Sequence, residues 1–202
     1  MPNFLTVALA LLAAYLLGSV PFAVVTSRAF GLADPRSYGS GNPGATNVLR
    51  SGNKKAAILT LLGDALKGWV AVFAAQQAGF SDAVVGLVAL AVFFGHLFPV
   101  FLKFKGGKGV ATAAGVLLAL DPLLGLAVLG TWLFMAFAFR YSSLAAVTAA
   151  ALAPVYVGLA RGTDAMIVIV GILALALIGK HWQNIQRLLA GQESRIGSKK
   201  KA

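Results

Sequence analysis

Long apolar runs separated by short polar segments make up most of this chain. Most of these runs approach the roughly 17 to 25 residues that a helix needs to cross a bilayer, so the pattern predicts an all-α polytopic membrane protein with about seven transmembrane helices. The runs lie approximately at residues 4–27, 56–78, 82–102, 107–120, 123–139, 143–160 and 165–180. The fourth run would cover only about 21 Å of a hydrocarbon core of roughly 30 Å, so it begins earlier, tilts or is partly re-entrant.

The composition also favours a membrane location. Of the 202 residues, 59% are hydrophobic and 11% are charged, and the mean hydropathy is +0.85. This is more apolar surface than a soluble domain of this length can bury, so lipid is expected to be part of the solvent. We interpret residues 1–202 as one integral membrane domain that ends in a disordered basic tail, residues 194–202. Pro21, Pro99 and Pro154 lie within or beside the runs, where each can kink a helix.

The basic residues are divided unevenly between the two sides of the membrane. The net charge is +11 and the isoelectric point is about 10.4, values that would suggest a nucleic-acid partner for a soluble protein. With seven spans and an outside N-terminus, all but two of the Lys and Arg residues lie inside. The exceptions are Arg161, which lies outside, and Lys67, which lies within the second run. The positive-inside rule therefore predicts an N-out, C-in protein with no nucleic-acid partner. Six spans fit worse, because merging the fourth and fifth runs would put Arg140 outside.

Metal and thiol chemistry has no support in the sequence. The chain has no cysteine, which excludes disulfides, thiolate metal sites and a cysteine nucleophile. No cluster of His, Asp and Glu has the spacing of metal ligands. We therefore expect neither a metal nor another cofactor.

The first polar loop is rich in groups that bind anions. It reads DPRSYGSGNPGATNVLRSGNKKA and contains Ser40, Asn42, Asn47 and Arg50. Its glycines let the backbone fold back and aim N–H groups at an anion, and its hydroxyl, amide and guanidinium groups add donors. The loop is therefore predicted to bind phosphate, although a cluster of turn residues would also explain the glycines.

A second polar loop precedes a helix that is predicted to start near Val110. It contains Gly106, Gly107, Lys108 and Gly109, together with two lysines further upstream. A glycine-rich turn that leads into a helix N-terminus is typical of anion sites, because N–H groups and the helix dipole converge there. The spacing and the lack of a preceding strand exclude a Walker A loop. The upstream lysines are equally well explained by control of topology.

Ionisable residues also occur within the predicted spans. Asp64 and Lys67 are three residues apart in the second run, where charges are costly unless they are paired or line a polar cavity. They are supporting candidates, either as a buried ion pair that positions the first loop or as direct substrate contacts. His96, near the cytoplasmic end of the third run, is either a structural residue or a catalyst.

Two more polar clusters follow the fifth and seventh runs. Arg140 and Ser143 form a possible second anion contact, although Arg140 alone would serve as a topology anchor. His181 and Asn184 are three residues apart and would share one face of a helix, which either joins the active site or lies solvated at the interface. Glu193 is expected to pair with a basic loop.

Four strings of residues occur in order between the apolar runs: GSGNPGATN, GHLFPVFLKFKGGKGVAT, RYSSL and HWQNIQRLLAGQES. Together they resemble the acyl-phosphate-dependent glycerol-3-phosphate acyltransferases of bacteria, the PlsY type, over nearly the whole chain. The resemblance implies transfer of a fatty acyl group from acyl phosphate to the 1-hydroxyl of sn-glycerol 3-phosphate in phospholipid synthesis, giving 1-acylglycerol 3-phosphate and phosphate. It also implies a multi-pass protein of the bacterial cytoplasmic membrane with its active site facing the cytoplasm.

The resemblance implies a role for each candidate residue. Essential polar or catalytic contacts are implied for Ser40, Asn42, Asn47, Arg50, His181 and Asn184. Phosphate binding is implied for Gly106, Gly107, Lys108, Gly109, Arg140 and Ser143. Glu193 is implied to be more structural, and the partners are acyl phosphate, glycerol 3-phosphate and membrane lipid.

The implied chemistry makes modest demands on the protein. An acyl phosphate is an activated mixed anhydride, so the enzyme has to orient the hydroxyl, stabilise the oxyanion and neutralise the departing phosphate. We expect direct displacement without an acyl-enzyme, with His181 or a substrate phosphate oxygen accepting the proton. The His-x-x-x-x-Asp motif of thioester-dependent acyltransferases is absent. The alternative function is a membrane transporter of a phosphorylated anion, but inverted repeats and polar residues near the midplane, which it would need, are not visible.

Overall fold

The computed structural model describes residues 3–161 and 165–197 of the chain. Within these ranges every regular element is helical, which confirms the predicted all-α class. The helices are α1 Phe4–Ser19, α2 Phe22–Ala29, α3 Ala45–Leu49, α4 Lys54–Gln77, α5 Asp82–Leu97, α6 Val110–Leu120, α7 Pro122–Phe139, α8 Ser142–Arg161, α9 Ala165–Lys180 and α10 Trp182–Leu189. A 3₁₀ turn, Val100–Leu102, follows α5. Of the predicted disordered tail, residues 198–202 lie outside the described residues.

Several helices are long and apolar enough to cross a membrane. In the described part of the chain four helices meet this criterion alone, namely Lys54–Gln77, Asp82–Leu102, Pro122–Phe139 and Ser142–Ala160. Two bent pairs raise the number to six if each pair is one span: α1 with α2, bent by 44°, and α9 with α10, bent by 60°. Helix α6 has 11 residues, about 16 Å of rise, and begins later than the predicted fourth run, so the option of an earlier start is wrong. The count of seven spans stays a prediction.

Large apolar side chains cover the outer surface of these helices. Phe134 on α7, Leu159 on α8 and Leu175 on α9 are 67%, 82% and 72% exposed. Apolar exposure of this extent is unfavourable in water, whereas in a bilayer the same side chains contact lipid tails. The surface therefore agrees with the membrane location that the composition predicts.

Pro21 separates α1 from α2, as expected for a proline within an apolar run. Proline has no backbone N–H and biases the residue before it toward extended conformations. Val20 accordingly has φ −63° and ψ 116°. The break directs the carbonyl oxygen of Val20 toward α4, where it accepts a hydrogen bond from Lys67 Nζ at 2.8 Å. The predicted kink at Pro21 is confirmed.

The first of two compact units, Met1–Gly125, packs its helices through small residues. Helix α1 packs against α5, and α4 packs against α6. A Cβ atom at Gly18 would overlap the Val92 carbonyl, and one at Gly115 would overlap the Ala65 carbonyl. Such close backbone contact is typical of helices in lipid, where small residues at the interface allow van der Waals packing.

The second unit, Leu126–Ala202, is built around α8 and α9, and α10 contacts both. The backbone N–H of Ile196 donates to the carbonyl oxygen of Arg140 at 2.6 Å. In return, the exposed guanidinium of Arg140 donates to the carbonyl oxygen of Ile196 at 3.0 Å. These two bonds fix the segment after α10 to the residue that follows α7. Its position brings Glu193 beside α8 and α10.

Candidate active site

Asn47 is buried at the centre of the first loop and organises it. The residue is 2% exposed. Its Nδ2 donates to the carbonyl oxygens of Pro35 at 2.6 Å and Tyr38 at 3.2 Å, and its Oδ1 accepts from the Ser40 N–H at 3.0 Å. The Arg50 guanidinium donates to the same oxygen at 3.4 Å. Asn47 thus uses its amide to fold the loop, and direct contact with substrate stays a prediction.

The other candidates of the first loop are more accessible. Ser40 and Arg50 are exposed, and Asn42 is half-buried. Gly39 has φ +60°, and a Cβ atom at this position would overlap Oδ1 of Asn47, so only glycine fits where the backbone passes this amide. The loop holds one amide inside and presents a hydroxyl, an amide and a guanidinium outside, which is the donor set of an anion-binding loop.

An ion pair that the sequence analysis did not single out stabilises the start of this loop. Arg36 Nη2 lies 2.6 Å from Asp34 Oδ2, and Arg36 Nε donates to Asp34 Oδ1 at 2.9 Å. These hydrogen bonds outweigh burial and lower the pKa of the Asp34 carboxyl. Because both side chains are partly exposed, the pair contributes at most about 1 kcal/mol to stability.

The glycine-rich second loop leads directly into α6, as predicted. Gly109 is the N-cap of α6 in a left-handed conformation, with φ +84°, and no side chain makes a capping hydrogen bond there. An anion can therefore take the place of a capping side chain at this helix N-terminus. The N–H of Gly107 donates to the carbonyl oxygen of His96 at 3.2 Å, and Lys108 is half-buried.

Asp64 and Lys67 form the buried ion pair that their spacing suggested, and His96 joins them. Lys67 Nζ lies 2.8 Å and His96 Nδ1 lies 3.3 Å from the same oxygen, Oδ1 of Asp64. The side chains of Lys67, Asp64 and His96 are only 1%, 4% and 8% exposed. Lys67 also donates to the Val20 carbonyl and lies 5.8 Å from the centre of the Phe22 ring. Mutual pairing compensates part of the cost of burying these charges.

A small cavity in the first unit is lined by residues of both loops and of this buried group. Its lining includes Pro43 of the first loop, Gly106 and Gly107 of the second, and Lys67 and His96. The break between α1 and α2 completes the wall. The second loop thus reaches this cavity with two of its predicted phosphate-binding residues, whereas the first loop reaches it with Pro43 and none of its predicted donors.

Glu193 is the centre of the polar cluster in the second unit. Its Oε1 accepts from the Ser143 hydroxyl at 2.7 Å and the Asn184 amide at 2.6 Å, and its Oε2 accepts from Arg187 Nε at 2.7 Å. The cation paired with Glu193 is thus Arg187 on α10, and the expected basic loop is a wrong assignment. Burial raises the pKa of Glu193, but the bonds from Asn184, Arg187 and Ser143 outweigh burial and lower it overall.

His181 lies at the bend between α9 and α10. It is 3% exposed, and its Nδ1 lies 2.8 Å from the carbonyl oxygen of Leu177. Because a carbonyl oxygen only accepts, Nδ1 carries a proton, and in the neutral form of the ring the lone pair is on Nε2. Asn184, in the first turn of α10, is 6% exposed, so the polar groups at both positions are buried. The helix that was expected to carry both residues starts only at Trp182.

Known proteins resemble this chain along most of its length. The sequence matches the family described as glycerol-3-phosphate acyltransferase over residues 8–191. The chain belongs to this family. It is 79% identical to a glycerol-3-phosphate acyltransferase of Dechloromonas aromatica (strain RCB), over 97% of this chain and 99% of the relative. It is 64% identical to one of Cupriavidus taiwanensis, over 94% of this chain and 96% of the relative.

Two solved structures of PlsY (YgiH), an integral membrane glycerol 3-phosphate acyltransferase, are similar to this acyltransferase. Its glycerol 3-phosphate form has a TM-score of 0.89 and 39% identity, over 95% of this chain and 96% of that chain. Its lysophosphatidic acid form has a TM-score of 0.88 and 38% identity, over 95% of each chain. This chain is therefore an integral membrane acyltransferase of the PlsY family, which acylates glycerol 3-phosphate for phospholipid synthesis.

Two contacts, one in each unit, were not identified from the sequence. His96 contacts an aspartate on a different helix, and Glu193 binds donors from both α8 and α10. Spacing along the chain carries no signal for contacts between separate helices. Among the described residues no three His, Cys, Asp or Glu side chains come together in a way that could hold a metal ion.

Proposed function

We propose that this acyltransferase takes its acyl group from acyl phosphate and transfers it to the 1-hydroxyl of sn-glycerol 3-phosphate, releasing phosphate and lysophosphatidic acid. The observation that carries this proposal is one cavity lined by Pro43 of the first loop and by Gly106 and Gly107 of the second, the two loops that are predicted to bind anions. Both substrates carry phosphate, and phosphate is bound by the backbone N–H groups and cations that such loops offer. The glycerol 3-phosphate and lysophosphatidic acid forms of the similar PlsY structures support this acceptor and this product.

Each loop receives a role in this proposal. The second loop binds glycerol 3-phosphate through backbone N–H groups, the Lys108 ammonium and the N-terminus of α6. The first loop presents the exposed donors Ser40 and Arg50 and the half-buried Asn42 to a phosphate or to the oxyanion. In the second unit, the proposed contacts are Arg140, Ser143, His181 and Asn184.

The proposed reaction is a single displacement. The hydroxyl oxygen forms a bond to the acyl carbon, the bond from that carbon to the phosphate oxygen breaks, and phosphate leaves. The hydroxyl proton passes to a phosphate oxygen or to Nε2 of His181, which carries the lone pair of the neutral ring. Amide and backbone N–H groups stabilise the oxyanion, and cations neutralise the leaving phosphate.

Donor specificity is tested by release of phosphate from palmitoyl phosphate by the purified protein in detergent. We expect phosphate release that depends on glycerol 3-phosphate, and no product when palmitoyl-CoA replaces palmitoyl phosphate. Product formed with palmitoyl-CoA alone would contradict the proposed donor. A folded protein that turns over neither donor would contradict the reaction and favour the transporter.

The proposed location is the bacterial inner membrane, with seven segments, an outside N-terminus, an inside C-terminus and both loops in the cytoplasm. Support comes from the positive-inside distribution of Lys and Arg, in which the short helix α6 counts as one segment. The tilt or re-entrant path of such a short helix is stabilised by close packing against α4.

The orientation is tested with single cysteines, since the chain has none of its own. Ser51→Cys and Ala78→Cys place exposed thiols near the two ends of α4. With a membrane-impermeant maleimide, we expect Ala78→Cys to react in intact cells and Ser51→Cys to react only after permeabilisation. The reverse pattern would contradict the proposed orientation, and the cysteine-free parent is the control for background labelling.

A further inference from the structure

We infer that the three buried side chains Asp64, Lys67 and His96, here named the intramembrane cluster, position the glycine-rich loop Gly106–Gly109. In this arrangement His96 contacts the loop, Asp64 orients His96, and Lys67 holds Asp64. The inference rests on the proposed function in one respect, since that function assigns glycerol 3-phosphate to this loop. It assigns these three residues a positioning role, which they exert through the loop.

His96 contacts Gly107 in two ways. Its carbonyl oxygen accepts the Gly107 N–H at 3.2 Å, and its imidazole ring lies against the Gly107 Cα. A Cβ atom at Gly107 would overlap this ring, and the three atoms nearest to that Cβ are all ring atoms of His96. Gly107 does not have the positive φ that favours glycine. The ring of His96 therefore accounts for glycine at this position.

The rest of the cluster restrains the position of the ring. His96 Nδ1 lies 3.3 Å from Oδ1 of Asp64, an ion-pair distance without hydrogen-bond geometry, so the carboxylate restrains the position of the ring as a neighbouring charge. Lys67 bridges from the same oxygen to the carbonyl of Val20 at the break between α1 and α2. The loop is thereby connected to α5, α4 and the helix break through side chains that are almost entirely buried.

A charged cluster is a costly way to make a purely structural contact. Apolar side chains of similar size often stabilise a buried position better than an ion pair does. A neighbouring carboxylate restrains the imidazole, however, and a phosphate loop must keep its N–H groups aimed at one point. Because the cluster is not assigned to the reacting atoms, its loss should weaken binding of glycerol 3-phosphate more than the chemical step.

The contact is tested by combining His96→Ala with an alanine in the loop. Gly107→Ala alone should raise the KM for glycerol 3-phosphate at least about tenfold, because its Cβ collides with the ring. His96→Ala alone should raise this KM about three- to tenfold and change kcat less than about threefold. In the His96→Ala background, adding Gly107→Ala should raise this KM by less than about threefold, because the ring with which the Cβ collides is absent.

Gly106→Ala is the matched control. A Cβ at Gly106 would meet the carbonyl oxygens of His96 and Leu97 and the ring of Pro99, all of which remain in His96→Ala. The defect of Gly106→Ala should therefore persist at full size in the His96→Ala background. The inference would be overturned if His96→Ala reduced the KM increase caused by Gly107→Ala and that caused by Gly106→Ala equally, or reduced neither.

Asp64→Asn separates positioning from general stability. It keeps the side-chain volume but removes the charge, and it should raise the KM for glycerol 3-phosphate about as much as His96→Ala does. Thr60→Val is its control, because it lies on α4 as well and loses a buried hydrogen bond to Thr26 of 2.6 Å. If Thr60→Val raises the KM as much as Asp64→Asn, the cluster acts only through stability and the inference fails.

Thermal unfolding of the same variants in detergent provides a readout that does not depend on the reaction. His96→Ala should reduce the loss of melting temperature caused by Gly107→Ala and leave that caused by Gly106→Ala unchanged. A wild-type protein without turnover would contradict the proposed function, and the unfolding data would still decide whether the cluster fixes the loop. The inference would be overturned if the losses of melting temperature caused by His96→Ala and Gly107→Ala were strictly additive in the double variant.

Discussion

Asn47→Ala should lower kcat/KM for glycerol 3-phosphate at least about 100-fold, although the amide lies inside the first loop. Without this amide, the carbonyls of Pro35 and Tyr38 lose their donor and the N–H of Ser40 loses its acceptor. The bond to Pro35 is buried and the other two are partly buried, and a buried polar group left without a partner costs about 1 to 3 kcal/mol. The folded loop is then no longer the favoured conformation, so its exposed donors are no longer held together.

The isosteric variant Asn47→Asp should be nearly as damaging. An aspartate keeps the oxygen that accepts from Ser40, but its second oxygen would face the two carbonyls now bound by Nδ2. Oxygens at these distances repel unless the acid is protonated. Activity close to that of the wild type in Asn47→Asp would show that the amide donor does not hold the loop.

Asn53→Ala is the control for these two variants. Its side chain caps α4 by accepting from the Ala56 N–H at 3.0 Å, so its removal costs about 1 kcal/mol of helix stability. We expect this variant to keep kcat/KM within about threefold of the wild type, because the Asn53 side chain bonds to the first turn of α4 and not to Pro35, Tyr38 or Ser40. The amount of protein in the membrane is measured for every variant, so that loss of activity is compared at equal protein concentration.

Much of the fold could be predicted from the apolar runs, because the bilayer fixes the length of its helices. Runs 123–139 and 165–180 correspond to Pro122–Phe139 and Ala165–Lys180 within a residue. Run 4–27 instead forms two helices, because Pro21 interrupts it. Run 107–120 was extended too far toward its start, because glycines are counted with an apolar run although they do not begin the helix there.

The sites could be predicted where the interacting groups are close in sequence. Asp64 and Lys67 are one turn apart on a single helix, so their pairing followed from spacing. The contact of His96 with Asp64 depends on how α5 packs against α4, and no local pattern reports it. Sequence likewise identified Asn47 as important without indicating that its amide bonds to the loop itself.

The Glu193 network shows the same limit in the second unit. Ser143 was predicted to contact phosphate, but the proton of its hydroxyl is donated to Glu193. A serine has one O–H donor, so this hydroxyl cannot donate to a phosphate while it donates to the carboxylate. Phosphate binding by Ser143 stays a prediction, and it requires an exchange of partners that the sequence does not indicate.

Glu193→Gln should lower the melting temperature at pH 7 by about 5 °C or more, although it preserves the shape of the side chain. Both carboxylate oxygens accept only, Oε1 from Ser143 and Asn184 and Oε2 from Arg187. A glutamine must place its NH₂ group against one of these donors in either orientation. Gln192→Ala, which removes an exposed neighbouring side chain, is the control and should melt within about 1 °C of the wild type.

The pH dependence of the melting temperature, compared between the wild type and Glu193→Gln, identifies the carboxylate as the cause. The pKa of Glu193 is lower in the folded protein than its ordinary value of 4.5, so the stability it contributes is fully present above about pH 4.5. This contribution is lost as the pH falls through the folded-state pKa, because protonation removes the charge that binds Arg187. The melting temperature of the wild type should therefore approach that of Glu193→Gln as the solution is acidified below pH 4.5. A difference between the two proteins that stays constant from pH 7 to the acid limit would show that the ionised carboxylate does not stabilise this cluster.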